Sequence, residues 1–319
     1  MKLDRILPAL MLLAPLLGGC ASTTLTAGAG LAKAGQAAAT QMEQNATLTA
    51  AQYTALKEAV VFGDGFAGLP DNPASKSFLA HESSIQTKLA VYGKWLESLA
   101  SAYAALGDLS GYDAAGSFAT ASGALCGSTS DLIKSLSADA AVPAAVGPTV
   151  ETAGGWVLSA VQTGEVTDES DKIEAILKAM VPILSDPNTR SLIILNNLLV
   201  QDQISGTAQN LYATGVYSCA PLLNDLGTPL GLKTVDNVDS VVAGNHNIKN
   251  GCLNYISVAV ADNLDGIGKS YDKSVEGLND LIKLHDSLKA GKPLDFDSIN
   301  AILTGLQTFA AKLQPQKGK

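Results

Sequence analysis

Residues 75–107 read SKSFLAHESSIQTKLAVYGKWLESLASAYAALG. Phe78, Ile85, Leu89, Tyr92, Leu96, Leu99, Tyr103 and Leu106 recur in it at alternating steps of four and three after a first step of seven. That is the a/d stripe of a helix with one buried seam. The stretch predicts a helix on the order of 50 Å long at 1.5 Å per residue. Tyr92, Trp95 and Tyr103 could be an aromatic cofactor box, but a stripe at this spacing is a packing seam. Aromatic residues make up only 5% of the chain, while Ala, Leu, Ser and Gly are abundant. Such a mix suits closely spaced helices better than a sheet, which favours β-branched and aromatic residues. The expected fold is all-α: an elongated multi-helix bundle with long antiparallel helices.

The flanking sequence extends the pattern. An Ala/Gln-rich helix is expected over 31–45. Thr49 with Gln52 then resembles a capping box opening a second helix to about residue 62. The Gly- and Pro-dense stretch 63–73 is a loop. Over 112–138 the seam repeats with Ala115, Ala119, Ser122, Cys126, Leu132, Ile133 and Leu136, and a shorter helix is expected over 149–162. Asp168-Glu169-Ser170-Asp171 opens the next helix, where acids suit the positive end of the helix dipole. Asp186-Pro187 starts a central helix running to about residue 226. Its Leu192–Leu195 and Leu198–Val200 runs are apolar nearly all round, and Asn196 and Asn197 in between need partners if buried. Residues 227–251 read as the longest polar connection. Connections of that length are uncommon and often functional. A last long helix is expected over 252–290, with Ile267, Tyr271, Leu278, Ile282 and His285 on one face. Asp295 or Asp297 caps a final helix to about residue 313.

The N-terminus has a separate logic. Lys2 and Arg5 precede an apolar run from Ile6 to Leu17, interrupted by Pro8 and Pro15. It is too short to span a bilayer and has the layout of a secretory signal peptide. The run ends in Leu17-Gly18-Gly19-Cys20, which resembles the lipobox of bacterial lipoproteins. The resemblance covers the leader alone. It implies cleavage before Cys20 and acylation of that residue, giving an anchor of several acyl chains. Ala21 and Ser22 follow the Cys where inner-membrane lipoproteins of Gram-negative bacteria commonly carry Asp. The resemblance therefore implies the outer membrane if the source is Gram-negative. The expected organisation is a signal peptide over 1–19, an acylated Cys and flexible tether over 20–30, and a single helical-bundle domain over 31–319.

Charge narrows the partners. Removing residues 1–19 from the 319 takes away Lys2, Asp4 and Arg5 and leaves 300 residues with 19 basic and 29 acidic side chains. A chain this acidic is repelled by nucleic acid, so no nucleic-acid partner is expected. The membrane is expected to be a partner through the acylated end only.

Little in the sequence points to catalysis. The three His are His81, His246 and His285. None stands in an HExxH spacing, and there is no CxxC, GxSxG or P-loop. His246 and Cys252 could pair as base and thiol, but a nucleophile needs a lowered pKa and an oriented base, and neither is legible there. No cofactor and no metal are expected. After lipidation of Cys20, Cys126, Cys219 and Cys252 remain. An oxidising envelope favours one disulfide among three possible pairings. Cys219 near the end of one helix and Cys252 at the start of the next favour a Cys219–Cys252 bond. Cys126, mid-helix on an apolar seam, is then left reduced.

These features point to a non-catalytic, membrane-anchored envelope lipoprotein that acts as a protein-interaction module. Its first candidate contact surface is 227–251, and its expected partner is another envelope protein. The alternative is a carrier of lipid or another apolar ligand between the helices. An enzyme would need convergent polar side chains in a pocket, which no motif indicates.

Overall fold

The computed structural model describes residues 7–66, 68, 73–108, 115–137, 168–194, 198–216, 218–227, 229, 232 and 237–313, with side chains from residue 26 onward except at 66, 74, 115, 116, 198–200, 203, 221, 225, 239, 243 and 313. Among the described residues there are ten helices and no strand, so the chain is an all-α helical bundle. In chain order they are α1 (Leu7–Phe66), α2 (Pro73–Asp108), α3 (Ala115–Ser137), α4 (Glu169–Ser185), α5 (Pro187–Ile193), α6 (Leu198–Ala213), α7 (Ala220–Gly227), α8 (Val238–Gly244), α9 (His246–Lys289) and α10 (Asp297–Leu313).

The chain divides into two compact units. The first comprises Met1–Leu48, Thr87–Ile193 and Ser270–Lys319, and the second Thr49–Gln86 and Ile194–Lys269.

In the first unit the α2 seam is the core. Leu89, Tyr92, Leu96, Leu99 and Tyr103 are buried, as is Trp95, while Leu106 is half-buried. On α3 the buried face is Phe118, Ser122, Leu125, Cys126, Thr129, Leu132, Ile133 and Leu136. Ala119, expected on that seam, is exposed. The Trp95 indole donates to Thr129 Oγ1 at 3.0 Å, so even the polar edge of the largest core residue is satisfied. Helices α1 and α2 are antiparallel here. Going up α1, Ala32 approaches Gly107 and Gly35 then meets Tyr103. Gly35 permits that approach: a Cβ on it would lie 2.4 Å from the Tyr103 ring. Asn45, buried in α1, donates to Ser270 Oγ at 3.0 Å and to the Leu306 carbonyl at 3.1 Å. It therefore joins α1 to α9 and α10.

Helix α4 starts where the acidic cluster predicts. The Asp168 carboxylate accepts from the backbone N–H of Ser170 at 2.9 Å and of Asp171 at 3.2 Å, which satisfies two donors that an uncapped helix start would leave open. It packs against α3 and α5. It runs antiparallel to α9: Asp171 pairs with Lys289 near one end, and the Leu184 carbonyl accepts from the Tyr271 hydroxyl near the other. Asp186 caps α5 through the N–H groups of Asn188 and Thr189.

The second unit contains the C-terminal part of α1 and the first part of α2, again antiparallel. Gln86 donates to the Ala50 carbonyl at 2.8 Å, and Lys57 stands 3.5 Å from the buried Glu82 carboxylate. Phe78 and Ile85 of the α2 seam are buried here. Helix α6 meets α9 through Gln209, which donates to the Leu253 carbonyl and to Ser257 Oγ.

Three expectations are corrected. First, 31–45 and 49–62 are one helix, because no Gly or Pro lies between them to stop α1; Thr49 is buried within it rather than starting it. The same helix covers 20–30, where a flexible tether was expected. Second, the continuous central helix from 187 to about 226 is three helices, α5, α6 and α7. Gly215 takes a left-handed φ of 80° just after α6, which ends it. Asn196 and Asn197 lie outside the described residues. Third, 227–251 is not one loop. It holds α8, and α9 begins six residues early because Asn245 caps it, accepting from the N–H groups of Asn247 and Ile248. The helix expected over 149–162 lies outside the described residues.

Candidate functional site

Two features stand out, one in each unit. In the second unit, Cys219 and Cys252 form a disulfide across 33 positions of sequence, with Cα atoms 6.2 Å apart. Cys219 precedes the short α7, rather than ending a long helix, and Cys252 lies in the second turn of α9. Both sulfurs are buried in a small apolar cluster with Tyr212 and Val242, against which Leu222, Leu223, Val238, Ile248, Leu253 and Ile256 pack. The bond therefore ties the short helices α7 and α8 to the start of the long α9.

The same unit also exposes large apolar side chains. The large hydrophobic side chains left exposed among the described residues all belong to this unit: Val61, Phe62, Val216, Leu226, Leu232, Val241, Tyr255 and Val258. Val216, Leu226 and Leu232 are each more than 60% exposed. Leu232 folds back on the end of α7, its N–H donating to the Gly227 carbonyl at 3.0 Å. Tyr255 and Val258 are three residues apart on α9 and so share a face. Isolated exposed apolar residues are ordinary, and it is their concentration in one unit that makes them a candidate site. Only part of it was legible in sequence: 227–251 contains Leu232 and Val241, but Val61, Phe62, Tyr255 and Val258 sit on helices whose exposed face depends on what packs behind them.

In the first unit, His285 is buried between two hydroxyls on two other helices. Its Nε2 lies 2.8 Å from the Tyr103 hydroxyl of α2, and its Nδ1 lies 2.8 Å from Ser170 Oγ of α4. Burial pushes the imidazole down to about 4, against the opposing pull of Asp171 and Asp286. Burial, aided by Glu174, also holds the Tyr103 phenol well above its ordinary value. Beside this trio, Lys178 pairs with both Glu174 and Asp286, and Lys289 with Asp171 at 2.7 Å. Burial raises the Glu174 carboxyl, with Lys178 opposing, and the Lys178 ammonium holds the Asp286 carboxyl down. A Ser–His pair invites comparison with a nucleophile and base. Here the N–H of Ser170 itself, one that could stabilise an oxyanion, already serves the Asp168 carboxylate.

The remaining sequence candidates are dispersed. Cys252 has no free thiol to pair with His246, which lies exposed at the start of α9 with Nε2 3.0 Å from Asn250. His81 is exposed on α2. Cys126 is a free, buried thiol, and burial pushes its pKa up, which makes it inert. The side chain of Cys20 lies outside the described residues. Among the described residues no group of three or more His, Cys, Asp and Glu is placed to hold a metal, and no helix is long and apolar enough to cross a membrane. An open groove of about 210 Å³ between α1 and α2 is lined by Gln36, Thr40, Glu43, Glu97, Ala100, Ser101 and Ala104.

The class defined by these observations is an all-α helical bundle with one internal disulfide. No protein-family model, no curated protein and no solved structure matches this chain.

Proposed function

We propose that this protein is a membrane-anchored lipoprotein of the bacterial cell envelope, acylated at Cys20, whose helical bundle binds another envelope protein without catalysing a reaction. The observation that carries the binding role is the concentration of exposed apolar side chains in the disulfide-tied unit. Water-exposed apolar area of this kind is stabilised by burial against a partner, at about 25 cal/mol per Å². The disulfide supports an oxidising compartment, as the leader does. With Ala21 and Ser22 after Cys20, the outer membrane is the favoured location in a Gram-negative source.

Two close approaches inside the first unit support this reading over a lipid carrier. Met42 Cε fills the space beside Gly277, and Tyr103 fills that beside Gly35. The groove between α1 and α2 is lined by polar and small side chains rather than an apolar wall.

In-cell photo-crosslinking tests the proposal. A photoreactive residue placed at Val258 should give a discrete crosslinked protein, and the same residue at exposed Lys134 of α3 should not. The pair of changes Leu226→Ser and Tyr255→Ser should abolish the crosslink. Equal labelling from both positions, or a crosslink indifferent to those changes, overturns it.

A further inference from the structure

We propose that His285 is an acid-operated latch: neutral, it fastens the first turn of α4 to α2 and α9, and on gaining a proton it lets that turn go. The geometry that points to it is the pair of 2.8 Å contacts that His285 makes with Tyr103 on α2 and Ser170 on α4. His285 is 1% exposed and Tyr103 is fully buried, so neither can turn to water for a partner.

Counting donors and acceptors shows what the proton does. A neutral imidazole has one N–H and one bare nitrogen. The phenol is a better donor than an alkyl hydroxyl, so the Tyr103 O–H donates to Nε2 and the Nδ1–H donates to Ser170 Oγ. All three groups are then satisfied. Protonation places a second N–H on Nε2 and removes the acceptor of the buried Tyr103 O–H. An imidazolium also brings a full charge into a site shut off from solvent, which burial penalises strongly. Both costs fall on the state in which α4 is docked. Opening its first turn frees Ser170, which is only half-buried, and gives water a path to the ring.

The charged neighbours do not cancel this penalty. On α4, Asp171 and Glu174 face the ring with Lys178; on α9, Asp286 and Lys289 flank it; α2 contributes Tyr103. Asp171 is held by Lys289, while Glu174 and Asp286 share the one Lys178, so the pull of these carboxylates on an imidazolium is partly taken up by the two cations. The lowered titration of His285 agrees with the geometry.

The folded group titrates below its unfolded value, so the docked state is fully stabilised above about pH 6.5 and loses stability as pH falls towards about 4. Within that window one proton taken up on opening changes the opening equilibrium up to about tenfold per pH unit. The test is amide hydrogen exchange of the whole protein between pH 7 and pH 4.5, corrected for the intrinsic rate, beside an NMR titration of the His285 ring. Peptides over residues 169–176 should lose protection steeply while α3 peptides do not, and the ring should titrate more than one unit below 6.5. His285→Gln keeps a donor and an acceptor without a titrating group and should flatten the α4 slope. A ring that titrates near 6.5 overturns the latch. So does a protection loss shared equally by α3, or a His285→Gln slope equal to that of the wild type. If His285→Gln does not fold, the wild-type ring titration and the α4-against-α3 comparison still decide.

Discussion

Cys219 and Cys252 are bonded although 33 positions of chain separate them, and both are buried in the small apolar cluster that holds Tyr212 and Val242. The segment they enclose contains α7, α8 and the start of α9. The bond closes the loop that carries those short helices. Cutting with trypsin should place the three Cys of the mature chain on peptides 95–134, 191–233 and 250–269. A non-reducing digest should join the second and third and leave the first with an alkylatable thiol. Any crosslink through 95–134 contradicts this pairing. Replacing both Cys219 and Cys252 by Ser should cost about 3–4 kcal/mol on the chain-entropy model of a loop this long.

Leu96 and Leu99 are fully buried at the middle of the α2 seam. Leu96→Ala or Leu99→Ala should each destabilise by about 2–5 kcal/mol, through lost transfer energy and the cavity left behind. A denaturant titration measures it. A loss near zero would mean that the seam is a surface rather than core.

Gly35 stands where only a hydrogen fits against Tyr103. Ala is otherwise the better helix former by about 1 kcal/mol, so an exposed Gly→Ala change in α1 should stabilise. Gly35→Ala should do the reverse and cost about 1–3 kcal/mol of overpacking. The displaced Tyr103 ring should also shift the NMR signals of His285, its partner at 2.8 Å. Stabilisation in a urea titration with unmoved His285 signals would contradict the close approach.

Cys20 carries the anchor in the proposed function. Metabolic labelling with a fatty-acid probe should mark the wild-type protein, and Cys20→Ser should leave it unlabelled and unprocessed or released from membranes. An unlabelled wild type would remove the anchor from the proposal.

The sequence by itself determined the helical class and several local starts and stops. The α2 seam was legible because burial on one helix face imprints a three–four period on the residues themselves. Asp168 and Asp186-Pro187 marked helix starts because capping is a bond between residues two or three apart. The disulfide partner was legible from helix ends, though for a partly wrong reason, since Cys219 precedes a short helix instead of ending a long one. Tertiary structure decided what depends on distant neighbours. Nothing adjacent to His285 in sequence announces that Tyr103, 182 positions away, and Ser170, 115 positions away, would take its two nitrogens. Nor could periodicity tell which apolar residues stay outside: Val258 and Phe62 are exposed because of how much surface the surrounding helices leave uncovered. Local order is written in near-neighbour hydrogen bonds and periodic burial, whereas a site is written in contacts between helices that the chain brings together only on folding.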